Sequence, residues 1–332
     1  MYQFCEFTFT DAEYARCVNL HNAILPDAPE TVIGMRQADA HRNPDVVHQR
    51  WLIHALDPAL MTKVDGQAVG VAWVGGSSRQ TGKYDVGFNL DTALGDAAYA
   101  EGGLADVILA HMMTFLKQKP HKPTLLTAGG REDQTAFVQF VIDRGFDIVE
   151  RNEISELNLV DFNSSDFRVA TEKAKNNGIE IMALPELQAT DDDWKVKLYD
   201  LHMAIMPDVP SISAFVPPPM AEWEKMFTYD DFLPAAWFIA MHDNHYVGVT
   251  NLRRNAQNPK TIPVGLTGVR REYRRQGIAT AVKLRSIEFA QAQGCISMVT
   301  GNEENNPMFQ INLRFGFQPL PAWLNFHRKM TR

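Results

Sequence analysis

Cysteine is scarce in this chain. Only Cys5, Cys17 and Cys295 occur in 332 residues, an odd number with no CxxC spacing. This excludes a disulfide framework and a cysteine-built zinc site, and it points to a reducing compartment. Long apolar runs are also missing. A spanning helix needs about 18 or more consecutive apolar residues, and no such run occurs. The opening segment MYQFCEFTFTD has neither a basic start nor a long apolar stretch, so it does not read as a secretory signal. A soluble, cytoplasmic protein is the expectation. Positive charge is in deficit: 32 Lys and Arg stand against 40 Asp and Glu, for a net charge of −8. That balance argues against nucleic acid or a membrane surface as a general partner. No metal site is expected. Hydrophobic residues make up 45% of the chain, which excludes extended disorder.

What is present is a repeat. LHNAILPDAP from Leu20 and LHMAIMPDVP from Leu201 agree at seven of ten positions. VGVAW at Val69 answers VGVTN at Val247, and VGFNL at Val86 answers VGLTG at Val264. YAEGGLA at Tyr99 answers YRRQGIA at Tyr273, and DRGFD at Asp143 answers RFGFQ at Arg314. Five matches in one order, at a domain-length spacing, mean a duplicated domain rather than a solenoid. The expected division is a first domain over 1–160, a linker helix over 161–178 and a second domain over 179–332. Ser164 or Ser165 would cap the linker helix, and Asn177-Gly178 would stop it.

Each half reads as mixed α/β. In the second half, IEIMAL is a strand and DDDWKVKLYDLHMAIM a helix. AAWFIAMHDNHYVGVTNLRR makes two strands about an Asp243-Asn244 turn, and KTIPVGLTGV makes another strand. A helix follows Gly277, with Ile278, Val282, Ile287 and Phe289 apolar and Lys283, Arg285 and Glu288 polar. CISMVTGN, PMFQINLRF and WLNFHRKM complete the half as strand, helix and strand.

The stretch RREYRRQGIATAV places Arg270, Arg271, Arg274 and Arg275 where a strand turns into that helix. A helix start carries unpaired N–H groups and the positive end of the dipole. Gly277 lets an anion approach the backbone without a Cβ in the way, and arginines add charge-assisted hydrogen bonds. Together these predict a phosphate site.

With its neighbours, this stretch resembles the Gcn5-related N-acetyltransferase (GNAT) superfamily. The family pattern Arg/Gln-x-x-Gly-x-Gly/Ala matches Arg274, Arg275, Gln276, Gly277, Ile278 and Ala279. The later Asn and Gly-Phe pair match Asn305 and Gly316-Phe317. The resemblance covers 179–332 and extends more faintly to the first half through the repeat. It implies two tandem domains, each a mostly antiparallel splayed sheet flanked by helices. It also implies acetyl-CoA as co-substrate and an amine of a small molecule or peptide as acceptor, in a monomer or homodimer. Backbone at Thr267, Gly268 and Val269 would pair with the pantetheine arm, and amides from Arg275 to Thr280 would hold the pyrophosphate. Asn302 and Asn305 would line the strand-to-helix exit. Asn312 stands where many members place an acidic Tyr; it can hydrogen-bond the cofactor but has no proton to give. A non-catalytic acyl-CoA-binding module, or a different acyl donor, is the alternative.

At the matching loop the first half has Ala100, Glu101, Gly102 and Gly103, with Asp96 and Asp106 nearby. Carboxylates repel a diphosphate, so the first half is expected to be a degenerate copy. His21/His202 and Asp27/Asp208 occur in both copies and read as structural. Tyr246 and His327 are candidate proton donors only by lying on predicted strands. Glu222 and Glu224 flank Trp223 in a segment that, by the resemblance, would form a substrate wall, though a proline run and an amphipathic helix explain it equally well without function. The Asp191-Asp192-Asp193 run reads as helix capping. No catalytic base or acid is assigned.

Overall fold

In a computed structural model, residues 1–40, 42–78, 80–210 and 215–330 are described. The chain forms two units: Met1–Arg151 with Trp323–Arg332, and Asn152–Ala322. No helix among the described residues is long and apolar enough to cross a membrane.

The first unit runs β1 (Tyr2–Glu6), α1 (Asp11–Ile24), α2 (Val32–Ala40), β2 (His48–Ala55), α3 (Pro58–Lys63), β3 (Gly70–Gly76), β4 (Lys83–Leu90), α4 (Leu104–Lys117), β5 (Leu125–Arg131) and α5 (Thr135–Asp143), and it holds the start of β6 (Asp147–Asn158). Helix α1 begins at a capping box: Thr10 accepts from Glu13 N, and the Glu13 carboxylate accepts from Thr10 N. β1 to β4 pair antiparallel in order, whereas β4 and β5 pair parallel only over Lys83–Asp85 and Leu125–Thr127. Helix α4 turns Leu104, Ile108, Met112 and Leu116 into the core at the spacing of one helix face.

The second unit continues with α6 (Arg168–Asn176), β7 (Glu180–Ala183), α7 (Leu184–Thr190), α8 (Trp194–Ile205), α9 (Met220–Trp223), β8 (Phe232–His242), β9 (His245–Arg253), β10 (Thr261–Val269), α10 (Ile278–Ala292), β11 (Ser297–Glu303), α11 (Pro307–Arg314) and β12 (Gln318–Lys329), whose last residues belong to the first unit. Asp243 and Asn244 take φ of 46° and 64°, the left-handed pair that a tight two-residue hairpin turn requires. β10 and β11 pair parallel only over Thr261–Pro263 and Ser297–Val299 and then diverge, so a gap opens beside Val264–Val269.

The units exchange their last strands. β12 pairs antiparallel with β5 from Trp323 to Lys329, in the first unit's sheet. β6 pairs antiparallel with β11 from Asn152 to Asn158, in the second unit's sheet. A division at residue 160 therefore departs from the observed units at both strands. Sequence similarity aligns β6 with β12 but carries no information on which edge each one meets. Within segment 161–178, α6 packs on α10 inside the second unit. It follows a short 3-10 turn, Ser164–Phe167, capped by Asn163, whose side chain accepts from Ser165 N. Asn163 therefore caps the turn, and α6 itself starts from Phe167 with no side-chain cap, so neither Ser164 nor Ser165 caps it. Gly178, at φ +75°, ends the helix where expected.

Candidate functional site

The loop between β10 and α10 is built around two left-handed residues, Arg275 (φ 62°) and Gly277 (φ 87°). Gly277 caps α10 and has no side chain of its own to bond the helix's first N–H groups. A Cβ at Gly277 would lie 2.6 Å from the Ala170 carbonyl oxygen; glycine is required here by conformation and by space. Lys173 Nζ donates to the Arg275 carbonyl at 3.0 Å, tying α6 to the loop.

A cleft of about 720 Å³ opens at this helix start, within the usual size for small-molecule sites. Of the residues expected from sequence, Thr267, Gly268, Val269, Arg274, Arg275, Gly277, Ile278, Ala279 and Thr280 line it. Gln276 does not. A second cavity of about 160 Å³ shares Val209, Thr267, Asn306 and Met308 with the cleft and is also lined by Asn302 and Asn312. Asn305 lines neither: it is exposed, and its side chain donates to Glu303 Oε1 at 2.9 Å. Its neighbour Asn306 lines both cavities and caps α11, accepting from Met308 N at 2.9 Å. An Asn just before Pro307 is a helix-start signal, and that signal separates Asn306 from Asn305.

The arginines differ from expectation. Arg270 pairs with Asp200 and donates to the Tyr246 carbonyl at 2.8 Å. Arg271 and Arg274 both pair with Asp208. Of the four, Arg275 alone has no carboxylate partner among the described residues. A loop that reads as four free cations thus carries one, because α8 and the turn after it bring two aspartates onto it. The arginine hydrogen bonds, Arg271 foremost, hold the Asp208 carboxyl down at about 2. The shared Asp208 is therefore an organiser of the loop.

His202 is a core residue. Its Nδ1 accepts from Trp223 Nε1 at 2.8 Å, its Nε2 is buried without a partner among the described residues, and burial pushes the imidazole down to about 4. Tyr246 is buried and donates to Asp191 Oδ2 at 2.9 Å. His327 lies opposite Thr127 in the first unit's sheet. None of the three lines either cavity, nor do Glu222 and Glu224. Asp193 stands at the N-cap of α8, as the aspartate run suggests, but makes no side-chain cap bond, whereas Asp191 lies two residues earlier. Asp191 ends α7, accepting from Asp193 N and pairing with Lys197 at 2.8 Å. Lys283, grouped by sequence with the solvent face of its helix, is instead 1% exposed and lines the smaller cavity.

The equivalent loop of the first unit has a different conformation. Gly102 is left-handed at φ 72°, and Gly103 is not. Asp106 Oδ2 accepts from Gly102 N at 2.8 Å, and the same carboxylate pairs with Arg144 at 2.6 Å. In the repeat, Asp106 corresponds to Thr280 and Arg144 to Phe315, both of which line the cleft of the second unit. The first copy thus satisfies a loop amide with its own carboxylate.

The two units define a class. Residues 195–317 match the Acetyltransferase (GNAT) family, so the second unit carries a domain of that family of acyltransferases, whose fold binds acyl-CoA. The whole chain has the fold of tandem GNAT proteins. It superimposes on a tandem GNAT protein from the clavulanic acid biosynthesis pathway with a TM-score of 0.70 at 18% identity, covering 100% of this chain and 99% of that one. A GCN5-related N-acetyltransferase from Sphaerobacter thermophilus gives 0.70 at 15% identity, over 99% and 95%. A GNAT-family acetyltransferase from Colwellia psychrerythraea gives 0.57 at 13%, over 99% and 100%. No curated protein sequence matches.

Proposed function

We propose that the second unit transfers an acetyl group from acetyl-CoA to a primary amine of a small molecule or peptide, directly within a ternary complex. The observation that carries this reading is the uncapped start of α10 at left-handed Gly277, facing a cleft beside the gap between β10 and β11. Amides from Arg275 to Thr280 would receive the pyrophosphate, with Arg275 as the available cation. The backbone of Thr267, Gly268 and Val269 borders the gap and would pair with the pantetheine arm. Asn306 takes the place that motif spacing gives to Asn305. Asn302 and Asn312, joined by a hydrogen bond of 2.6 Å, would flank the thioester.

The thioester supplies an activated acyl carbon; the chain's task is placement and electrostatics. The acceptor amine must arrive neutral, and its proton must reach the leaving sulfur. Asn312 has no proton to give, and the Glu303 carboxylate is engaged by Asn305 N and Nδ2 at 2.9 Å each. Solvent then carries the proton. The first unit acts as a non-binding copy, because Asp106 fills its loop. The absence of a titrating acid at Asn312 favours one second reading, a non-catalytic acyl-CoA-binding module.

The test is calorimetric titration of the full chain with acetyl-CoA, followed by thiol release with a polyamine, an aminoglycoside and a lysine peptide. Binding at one site with turnover supports transfer. Binding without turnover on any amine selects the binding module. Absence of binding overturns both.

A further inference from the structure

The smaller cavity has an unusual floor. Lys283 sits on α10 at 1% exposure, among side chains packed against the sheet. The only partner of its ammonium among the described residues is the ring of Phe317, with Nζ 4.9 Å from the centroid. Asn312 is also 1% exposed, and its Oδ1 is buried without a hydrogen bond among the described residues. Both side chains line the same space, together with Thr300 and Asn302.

We propose that this cavity receives the acyl end of a donor whose chain terminates in a carboxylate, with the Lys283 ammonium as its counter-ion. The inference rests on acyl-CoA binding in the adjoining cleft, and it shifts the preferred donor from acetyl to a short dicarboxylic acyl group.

Three observations converge. First, the cavity is continuous in lining with the cleft through Thr267, Asn306 and Met308 and borders β10 where it leaves β11. Second, a volume of about 160 Å³ exceeds what a two-carbon acyl group needs, since a water takes about 30 Å³ of the liquid. Third, an acetyl methyl would leave an ammonium without a counter-ion in a desolvated space, which is costly. A carboxylate supplies the missing anion. The one carboxylate already on the lining, Glu303, makes no ion pair with Lys283 and is occupied by Asn305. Burial pushes the Lys283 ammonium down to about 7, the signature of a cation lacking its counter-charge, and an arriving carboxylate reverses that shift.

The reaction is unchanged in its balance. The acceptor nitrogen bonds to the acyl carbon, the carbon–sulfur bond breaks, and the amine's proton ends on the CoA thiol. The distal carboxylate and Lys283 neither make nor break a covalent bond.

The experiment titrates the full chain with CoA, acetyl-CoA and succinyl-CoA at pH 7, for the wild type, Lys283→Met and Lys283→Arg. Succinyl-CoA should bind the wild type at least tenfold more tightly than acetyl-CoA. Lys283→Met should narrow that preference to less than twofold, and Lys283→Arg should retain part of it. The wild-type comparison needs no variant to fold. Equal binding of acetyl-CoA and succinyl-CoA by the wild type overturns the dicarboxylate assignment and leaves the cleft's function standing. A preference that survives in a folded Lys283→Met protein overturns it as well. Failure of all three CoA compounds to bind overturns the acyl-CoA reading itself, and this inference with it.

Discussion

The carbonyl oxygen of Ala170 occupies the place where a side chain on Gly277 would begin: an ideal Cβ there lies 2.6 Å from it. The contact joins α6 to the start of α10 across the cleft's edge. Because Gly277 is also left-handed at φ 87°, Gly277→Ala meets two penalties, backbone strain of about 1–2 kcal/mol and displacement of α6. The variant should unfold at a lower temperature in differential scanning calorimetry and bind acetyl-CoA at least tenfold more weakly. An unchanged melting temperature would show that the loop relaxes freely.

Thr280 and Asp106 hold the same repeat position and have opposite consequences. A carboxylate at 280, reaching back to the loop as Asp106 reaches Gly102 N at 2.8 Å, would occupy the amides offered to a phosphate. Thr280→Asp is expected to reduce acetyl-CoA affinity by about 2 kcal/mol or more, from charge repulsion and lost donors, with little change in stability. Calorimetric titration checks this. Retained affinity would move the pyrophosphate away from α10.

Asp208 ties up Arg271 and Arg274. Asp208→Asn releases two guanidinium groups beside the cleft. CoA should then bind more tightly at low ionic strength, and the dependence of affinity on salt should steepen. A weaker complex would mean that the aspartate's hold on the arginines matters more to binding than the charge it cancels.

Phe326 is fully buried in the first unit although it lies near the C-terminus. Phe326→Ala should cost about 3–5 kcal/mol. Hydrogen exchange should show the loss in β5 and α4 and leave the protection of α10 intact. Loss of protection at α10 alone would contradict the strand exchange.

Lys283 gives stability a pH dependence. Its folded value, about 7, lies below the roughly 10.4 of an unfolded lysine, so the unfolded chain holds more protons between those values. Stability therefore rises as pH increases through that window. Urea unfolding at pH 7, 8 and 9 should show the rise in the wild type, and Lys283→Met should lack this increment and be more stable at pH 7. Parallel pH profiles would mean that the lysine reaches solvent.

Much of the site is legible in sequence because it depends on local chemistry. The Gly277 turn, the helix behind it and the Asp243-Asn244 hairpin follow from backbone preferences that neighbouring residues impose. Motif spacing alone points to Asn305; only the helix-start signal of Pro307 favours Asn306. The four arginines read as free for another reason. Asp200 and Asp208 lie more than sixty residues upstream of them, and charge pairing across such a separation has no trace in local pattern. Lys283 reads as exposed because a helical period assigns polar residues to water by default.

The sequence by itself determined the duplication, the succession of strands and helices, and the divergence of the two loops, since all of these are written in local residue identity. Tertiary structure alone decided which strand completes which sheet, which arginines remain unpaired, and that a lysine ends in a buried cavity. Those outcomes depend on which distant surfaces exclude water from one another, and that is settled only when the chain has closed.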